Sequence, residues 1–374
     1  MKSRFFKAFW AFGVILLLCP LLCGGKFESA PKEPALTTQD KRKALTDLRK
    51  AIDENYSYRD QHKVNWDNLF KAFSPRLLRA KTTQEFAQQL ANMLVKSKDL
   101  HVRVSVNGSI CVPTIKSKDD HNYNKVDRNF NMETLAKVVP NYQKKNPRVS
   151  TGRYPDSNIG YILIASWSAN DEQEIDAVFD ALKSFQDTKG LIIDVRPNGG
   201  GSELLARKVA GCFIDKPCVY AKNVNRIPGP VLKFTEVFER VVDPSKDLPH
   251  YTGKVAVLMG EGSVSSCESF VMMMQQVPGC KLVGSHSRGS SGNPKPIDLG
   301  NGITVMLPTW KDFRLDGTCF EGEGIAPDIE VKTTQAKLRK EDAVLSRAIK
   351  FIMNDEPDDK PKKSPQKTPI KTKS

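Results

Sequence analysis

Three short stretches of this 374-residue chain hold residue types that chemistry uses. The first is Asp194-Val195-Arg196-Pro197-Asn198-Gly199-Gly200-Gly201, directly after an apolar run. Three consecutive glycines let backbone N–H groups come close to a ligand and point at an anion. A dinucleotide fingerprint is excluded, because its third glycine would fall on Leu204, and a phosphate loop is excluded because no Gly-Lys-Ser/Thr follows. An oxyanion hole or a plain tight turn remains. The second stretch is Gly262-Ser263-Val264-Ser265-Ser266-Cys267-Glu268, placed to open a helix. A serine there lies over free N–H groups and the positive end of the helix dipole, yet serine is also a favoured N-cap. No GxSxG is present, so the α/β-hydrolase elbow does not apply. The third is Gly317-Thr318-Cys319-Phe320-Glu321-Gly322-Glu323-Gly324-Ile325-Ala326-Pro327-Asp328. Acids in such a loop are ordinarily solvated, but with a distant serine and histidine one of them could orient a base.

The elements that must position these stretches are legible as an α/β pattern. Residues 26–98 read as a small helical domain. Leu45, Leu48 and Ile52 recur at helical spacing, Leu69 to Leu78 suggest a second helix, and Thr82 with Glu85 caps a third. Asp99 to Val106 alternates with period two, placing His101, Arg103 and Ser105 on one side and Val102, Val104 and Val106 on the other. Residues 99–158 form a linking region, polar and irregular after 107. From 159 to 353, strands at Tyr161–Ile164, Leu191–Val195, Val255–Met259, Leu282–Val283 and Ile303–Leu307 alternate with amphipathic helices, which implies a layered α/β core.

The three stretches, in this order and together with Asp99-Leu100-His101, resemble the serine peptidase family of tail-specific (C-terminal processing) proteases, the tricorn core and interphotoreceptor retinoid-binding protein. The resemblance covers about residues 95–350 and implies a crotonase- or ClpP-like α/β protease core. It implies that Ser265, three residues before Glu268, is the nucleophile, and that the glycine turn supplies an oxyanion donor. The Ser–Lys subtype carries lysine where this chain has Ser290, and Lys295 lies five residues beyond. The tricorn-like subtype implies His101 as base and Glu321 as the group orienting it. His286 is the competing base, while His62, His121 and His250 are expected at the surface.

That chemistry is coherent. Serine needs a base, a near-neutral imidazole both takes and returns a proton, and a carboxylate, directly or through a further hydroxyl, holds its tautomer. Backbone N–H groups of Ser266 and Gly200 would bind the oxyanion. The expected activity is peptide-bond hydrolysis of proteins or peptides through an acyl-enzyme, with no cofactor and no metal. The alternative is a non-catalytic protein that binds apolar ligands or peptides on the same fold. A crotonase-type acyl-CoA enzyme is argued against by the export signal.

Composition narrows the setting. Apolar residues are 39% and charged residues 27%, an ordinary globular balance. Nine basic residues in the first seven and last fifteen positions account for most of the +14 charge, leaving +5 for the body and no nucleic-acid face. Residues 1–25 read as an export signal, with Lys2, Arg4 and Lys7 before the apolar run Ala8–Leu22. The expected location is extracytoplasmic: periplasmic, secreted or membrane-anchored. Cys23 raises a lipoprotein signal, which Leu22 argues against because a small residue is wanted there. Residues 354–374 form a Pro/Lys-rich tail expected to be disordered. Cysteines 111, 212, 218, 267, 280 and 319 permit disulfides in an exported protein, Cys212–Cys218 among them, and no zinc-type spacing occurs.

Overall fold

The computed structural model describes residues 36–114, 128–168 and 173–354. The export signal, Cys23, His121 and the tail after Asn354 lie outside them.

Three helices open the described chain: α1 (Thr38–Asn55), α2 (Trp66–Arg79) and α3 (Thr83–Leu94). Thr37 caps α1 reciprocally with Asp40, and the Thr82 hydroxyl accepts the Glu85 N–H at 3.1 Å, the cap its spacing suggested. A short antiparallel sheet follows, of β1 (Arg103–Val106) and β2 (Ser109–Ile110), completed much later by β12 (Pro294–Asp298) and β13 (Ile303–Pro308). Val102, Val104 and Val106 are buried as the alternation demands, while Arg103 is exposed. His101 departs from that pattern. It sits in the turn before β1 and is buried. Leu48, Ile52, Phe86 and Leu90 of the helices share one core with Val104, Ile303, Val305 and Leu307 of this sheet.

Next come α4 (Met132–Val138), β3 (Gln143–Lys144), β4 (Val149–Tyr154), β5 (Ile159–Ile164), α5 (Asp176–Ser184) and β6 (Gly190–Asp194). They continue into α6 (Glu203–Ala210), β7 (Cys218–Ile227), β8 (Lys233–Phe234), β9 (Phe238–Val242), β10 (Lys254–Met259) and α7 (Ser266–Met274). The chain then runs through β11 (Lys281–Gly284), β12 (Pro294–Asp298), β13 (Ile303–Pro308), β14 (Trp310–Phe313), β15 (Ile329–Glu330), α8 (Gln335–Leu338) and α9 (Ala343–Met353). Strands β15-β11-β10-β6-β5 are parallel neighbours, and β4 and β3 extend the same sheet antiparallel. Helices α5, α6 and α7 cover one face, α4 and α9 the other. Strands buried on both faces read as continuous apolar runs, and β5, β6 and β10 do.

Residues 107–158 read as polar, irregular and poor in strands, but β4 lies there, its Ser150-Thr151-Gly152-Arg153 breaking any apolar run. Of the disulfides the cysteine count permits, none is formed among the described residues. All six in the body are thiols, and Cys212, facing the Lys208 carbonyl at 3.6 Å, is not joined to Cys218. No helix of the described residues is long and apolar enough to cross a membrane.

Candidate active site

Strands β6 and β10 are hydrogen-bonded parallel neighbours, so the glycine turn after β6 and the serine turn after β10 emerge side by side at their carboxyl ends. Open α/β sheets hold their ligands at that edge. The Asp-x-Arg part of the first stretch is structural. Arg196 is buried and forked between Asp194 (Nη2 to Oδ2, 2.6 Å) and Asp342 (Nη2 to Oδ2, 2.9 Å), tying the end of β6 to the N-cap of α9. Asn198 then turns the chain, donating to the Ile164 carbonyl at 3.1 Å and accepting the Gly200 N–H at 2.9 Å. The Gly200 amide is therefore already engaged. Gly200 also contributes its missing side chain: at φ +93° a Cβ would lie 2.7 Å from the Val264 carbonyl and 2.9 Å from Ser265 Cβ. Ser266 opens α7, where no carbonyl of the helix stands before its N–H. Its hydroxyl donates to the Gly201 carbonyl at 2.6 Å.

Ser265 adopts φ +59°, ψ −124°. This is close to the first central residue of a type II′ turn, a place usually taken by glycine. Its Oγ lies 3.1 Å from His101 Nε2. The other ring nitrogen, Nδ1, lies 2.9 Å from Ser290 Oγ. With the Nδ1 proton on that side, Nε2 turns a lone pair to Ser265. His101 is located by Asp99, whose Oδ1 accepts the His101 N–H at 2.8 Å and whose Oδ2 accepts the Tyr56 hydroxyl at 2.8 Å. Burial, with Arg103 nearby, lowers the imidazole pKa to about 4, so the ring is neutral near pH 7.

Glu268 holds the turn together. Its two oxygens accept the N–H groups of Ser265, Ser290 and Gly289 at 3.0, 2.9 and 2.7 Å and the Ser287 hydroxyl at 2.6 Å. Burial pushes its pKa up to about 7 and the four donors pull the other way. Glu321 stands one step from the imidazole: its Oε2 accepts the Ser291 N–H at 2.8 Å and faces the Ser291 hydroxyl at 3.2 Å. Its link to His101 runs through the Ser290-Ser291 pair. Burial and the nearby Asp99 carboxylate raise its pKa well above the usual range. A cavity of about 180 Å³ opens beside Ser265, with Arg240, Asp312, Glu203 and Trp310 in its wall. Arg240 is bound to Asp312 at 2.6 Å and to Glu203.

The structure thus brings together Ser265, His101, Ser266 and Gly200, with Glu321 behind Ser291. It does not bring in Lys295, which is exposed on β12, or His286, whose Nδ1 faces the Glu323 carbonyl at 3.4 Å. His250 is exposed beside Asp215, as expected. His62 is not a surface residue: its side chain is 12% exposed and lies against Glu321. The sequence reading missed Ser290 as the partner of Nδ1 and Glu268 as the clamp. Only Glu268 had a local signal, its capping-box distance from Ser265.

Residues 158–331 match the model of peptidase family S41, and residues 37–95 match that of the tricorn protease C1 domain. Among curated relatives, the carboxy-terminal processing protease CtpA of Bacillus subtilis strain 168 is 28% identical over 177 residues, which is 47% of this chain and 36% of that protein. A CtpA-like serine protease of Staphylococcus epidermidis ATCC 12228 is 28% identical over 47% of this chain and 34% of its own length. The chain thus matches about a third of the length of these relatives. Among solved structures, a protein from Parabacteroides merdae ATCC 43184 described as a peptidase superposes with a TM-score of 0.67 at 27% identity, covering 85% of this chain and 97% of that one. Mature CPAF shares the fold, with a TM-score of 0.58 at 13% identity over 86% of this chain and 99% of that one. The two family models and these relatives point the same way: residues 158–331 carry the match to peptidase family S41, and the curated proteins similar to them are carboxy-terminal processing serine proteases.

Proposed function

We propose that the chain is an exported serine peptidase that cleaves proteins or peptides through an acyl-enzyme, with Ser265 as nucleophile and His101 as base. The observation that carries this reading is one line of atoms, half-buried at its Ser265 end: Ser265 Oγ to His101 Nε2 at 3.1 Å and His101 Nδ1 to Ser290 Oγ at 2.9 Å. In this reading Nε2 takes the Ser265 proton as Oγ attacks the scissile carbonyl carbon. The imidazolium, its Nδ1–H held by Ser290, then gives the proton from Nε2 to the leaving amine. Water, deprotonated in the same way, releases the acyl group. Glu321 fixes the Ser290-Ser291 segment by accepting the Ser291 N–H. The Ser266 N–H at the start of α7 binds the oxyanion, and loss of one such donor typically costs about 10²–10³ in turnover. The Gly200 N–H joins it by sharing its proton with Asn198 Oδ1. The arrangement favours the Ser-His-Glu subtype over Ser–Lys, since no lysine approaches Ser265 among the described residues. Export rests on the pattern of residues 1–25 alone.

The test is cleavage of unfolded casein and of a peptide library by the purified chain beside Ser265→Ala, His101→Ala and Lys295→Ala. Loss with the first two and retention with the third is expected. Activity surviving Ser265→Ala overturns the reading.

A further inference from the structure

Behind the imidazole, three side chains that the proposed reaction leaves without a proton-transfer role converge. His62 Nε2, one carboxylate oxygen of Asp99 and one of Glu321 all lie within 4.8 Å of one another. His62 comes from the turn after α1, Asp99 from the turn before β1 and Glu321 from the loop before β15, so no sequence spacing could have shown the group. His62 Nε2 is buried without a hydrogen-bond partner, and its nearest carboxylate oxygen, Glu321 Oε1, is 3.8 Å away, too far to bond. A buried polar atom of this kind calls for an explanation. The imidazole pKa is lowered to about 4 by burial, and by Lys311 and Lys98, so the ring is neutral and its nitrogen can donate a lone pair. A salt bridge to Glu321 would need the ring charged.

We infer that His62, Asp99 and Glu321 form a binding site for a zinc-type divalent cation. One imidazole and two carboxylates is a set such ions accept, at about 2.0–2.2 Å per bond with a fourth position left for water. Bonds of that length need ligand atoms roughly 3.3–3.5 Å apart, so the group must close by about an ångström. His62 and Glu321 also line a solvent-reaching cavity of about 230 Å³, through which the ion arrives and in which the fourth ligand sits. Lys98 on the rim is exposed and can swing away, and Lys311 lies over the Tyr58 and Phe234 rings.

Occupancy acts on the proposed reaction, and this part rests on the peptidase reading. Asp99 positions His101 through its backbone N–H, and Glu321 positions Ser291. Drawing both carboxylates toward a metal shifts the base and the Ser290 hydroxyl together, so the ion inhibits.

The experiment uses the full chain after chelator treatment, titrated with zinc chloride by calorimetry, beside His62→Gln, His62→Ala, Asp99→Asn and, as a control at a separate surface pair, His250→Ala. Labelling of Ser265 by a fluorophosphonate is timed with and without zinc. One zinc per chain is expected, its affinity falling at least 10-fold in both His62 variants and unchanged in His250→Ala, with labelling slowed in the wild type and not in His62→Gln. No binding, or binding indifferent to both His62 variants, overturns the site. Binding that leaves labelling untouched overturns the inhibition. A wild type that never labels while its zinc affinity still depends on His62 refutes the peptidase reading and leaves the site standing.

Discussion

Ser265 donates its backbone N–H to the carbonyl of Ser290 at 3.1 Å. The two residues also share Glu268 Oε2, which accepts both of their amides. The serine that faces one nitrogen of His101 is thus fastened to the serine that faces the other. The imidazole is gripped from both sides by a single hydrogen-bonded unit, and small shifts of the loop after β11 move both contacts at once.

Removing the Ser290 hydroxyl leaves His101 Nδ1 without that partner and frees the ring to take the wrong tautomer. Ser290→Ala is expected to lower kcat about 10- to 100-fold, less than loss of a triad carboxylate, with KM little changed. Ser290→Thr, which keeps the hydroxyl, should restore much of it. Steady-state kinetics on one peptide substrate checks both, and a change confined to KM would contradict the role.

Ser265 holds a backbone conformation that a side chain rarely tolerates, at a cost of order 1–3 kcal/mol. Ser265→Gly removes both the side chain and the strain, whereas Ser265→Ala removes only the hydroxyl. Both should be inactive, and the glycine variant should be the more stable of the two by about 1 kcal/mol in urea unfolding.

The low pKa of His101 places the acid limb of activity far from that of an ordinary histidine. The rate of Ser265 labelling should be flat from pH 6 to 8 and fall only towards pH 4. Stability carries the same sign. The folded pKa lies below the unfolded value near 6.5, so the unfolded chain takes the proton first. The contribution of this residue is complete above pH 6.5 and is lost as the pH falls towards 4. Comparing wild type with His101→Gln in urea titrations across that window isolates it. A limb centred at pH 6.5 would contradict the burial argument.

Arg196, between Asp194 and Asp342, predicts a contrast. Arg196→Ala leaves two buried carboxylates facing each other and should destabilise the fold by about 3–5 kcal/mol. Replacing all three by apolar residues of similar volume should cost far less. Thermal unfolding of the single and triple variants measures the difference, and equal losses would show that the network contributes more than charge balance.

The sequence made the parallel strands and the ends of β6 and β10 readable, because strands buried on both faces are continuous apolar runs and their turns carry the unusual glycines and serines. It did not reveal β4 or the ten-residue β7, whose Lys222, Asn223 and Asn225 break any such run. Ser265 and His101 stood out through motif order. The position of Ser290 against Nδ1, and the meeting of His62 with Glu321, depend on loops that only tertiary packing juxtaposes, and no local period encodes them.

The contacts that place His101 between Ser265 and Ser290 join positions 164 and 189 residues apart. Loops of that length must lose their entropy before the contacts stabilise anything, so they close late. A nascent chain, or one kept unfolded in transit, contains the serine and the histidine with nothing to hold one beside the other. Hydrolytic power in the proposed enzyme therefore waits until the two ends of this long stretch have met.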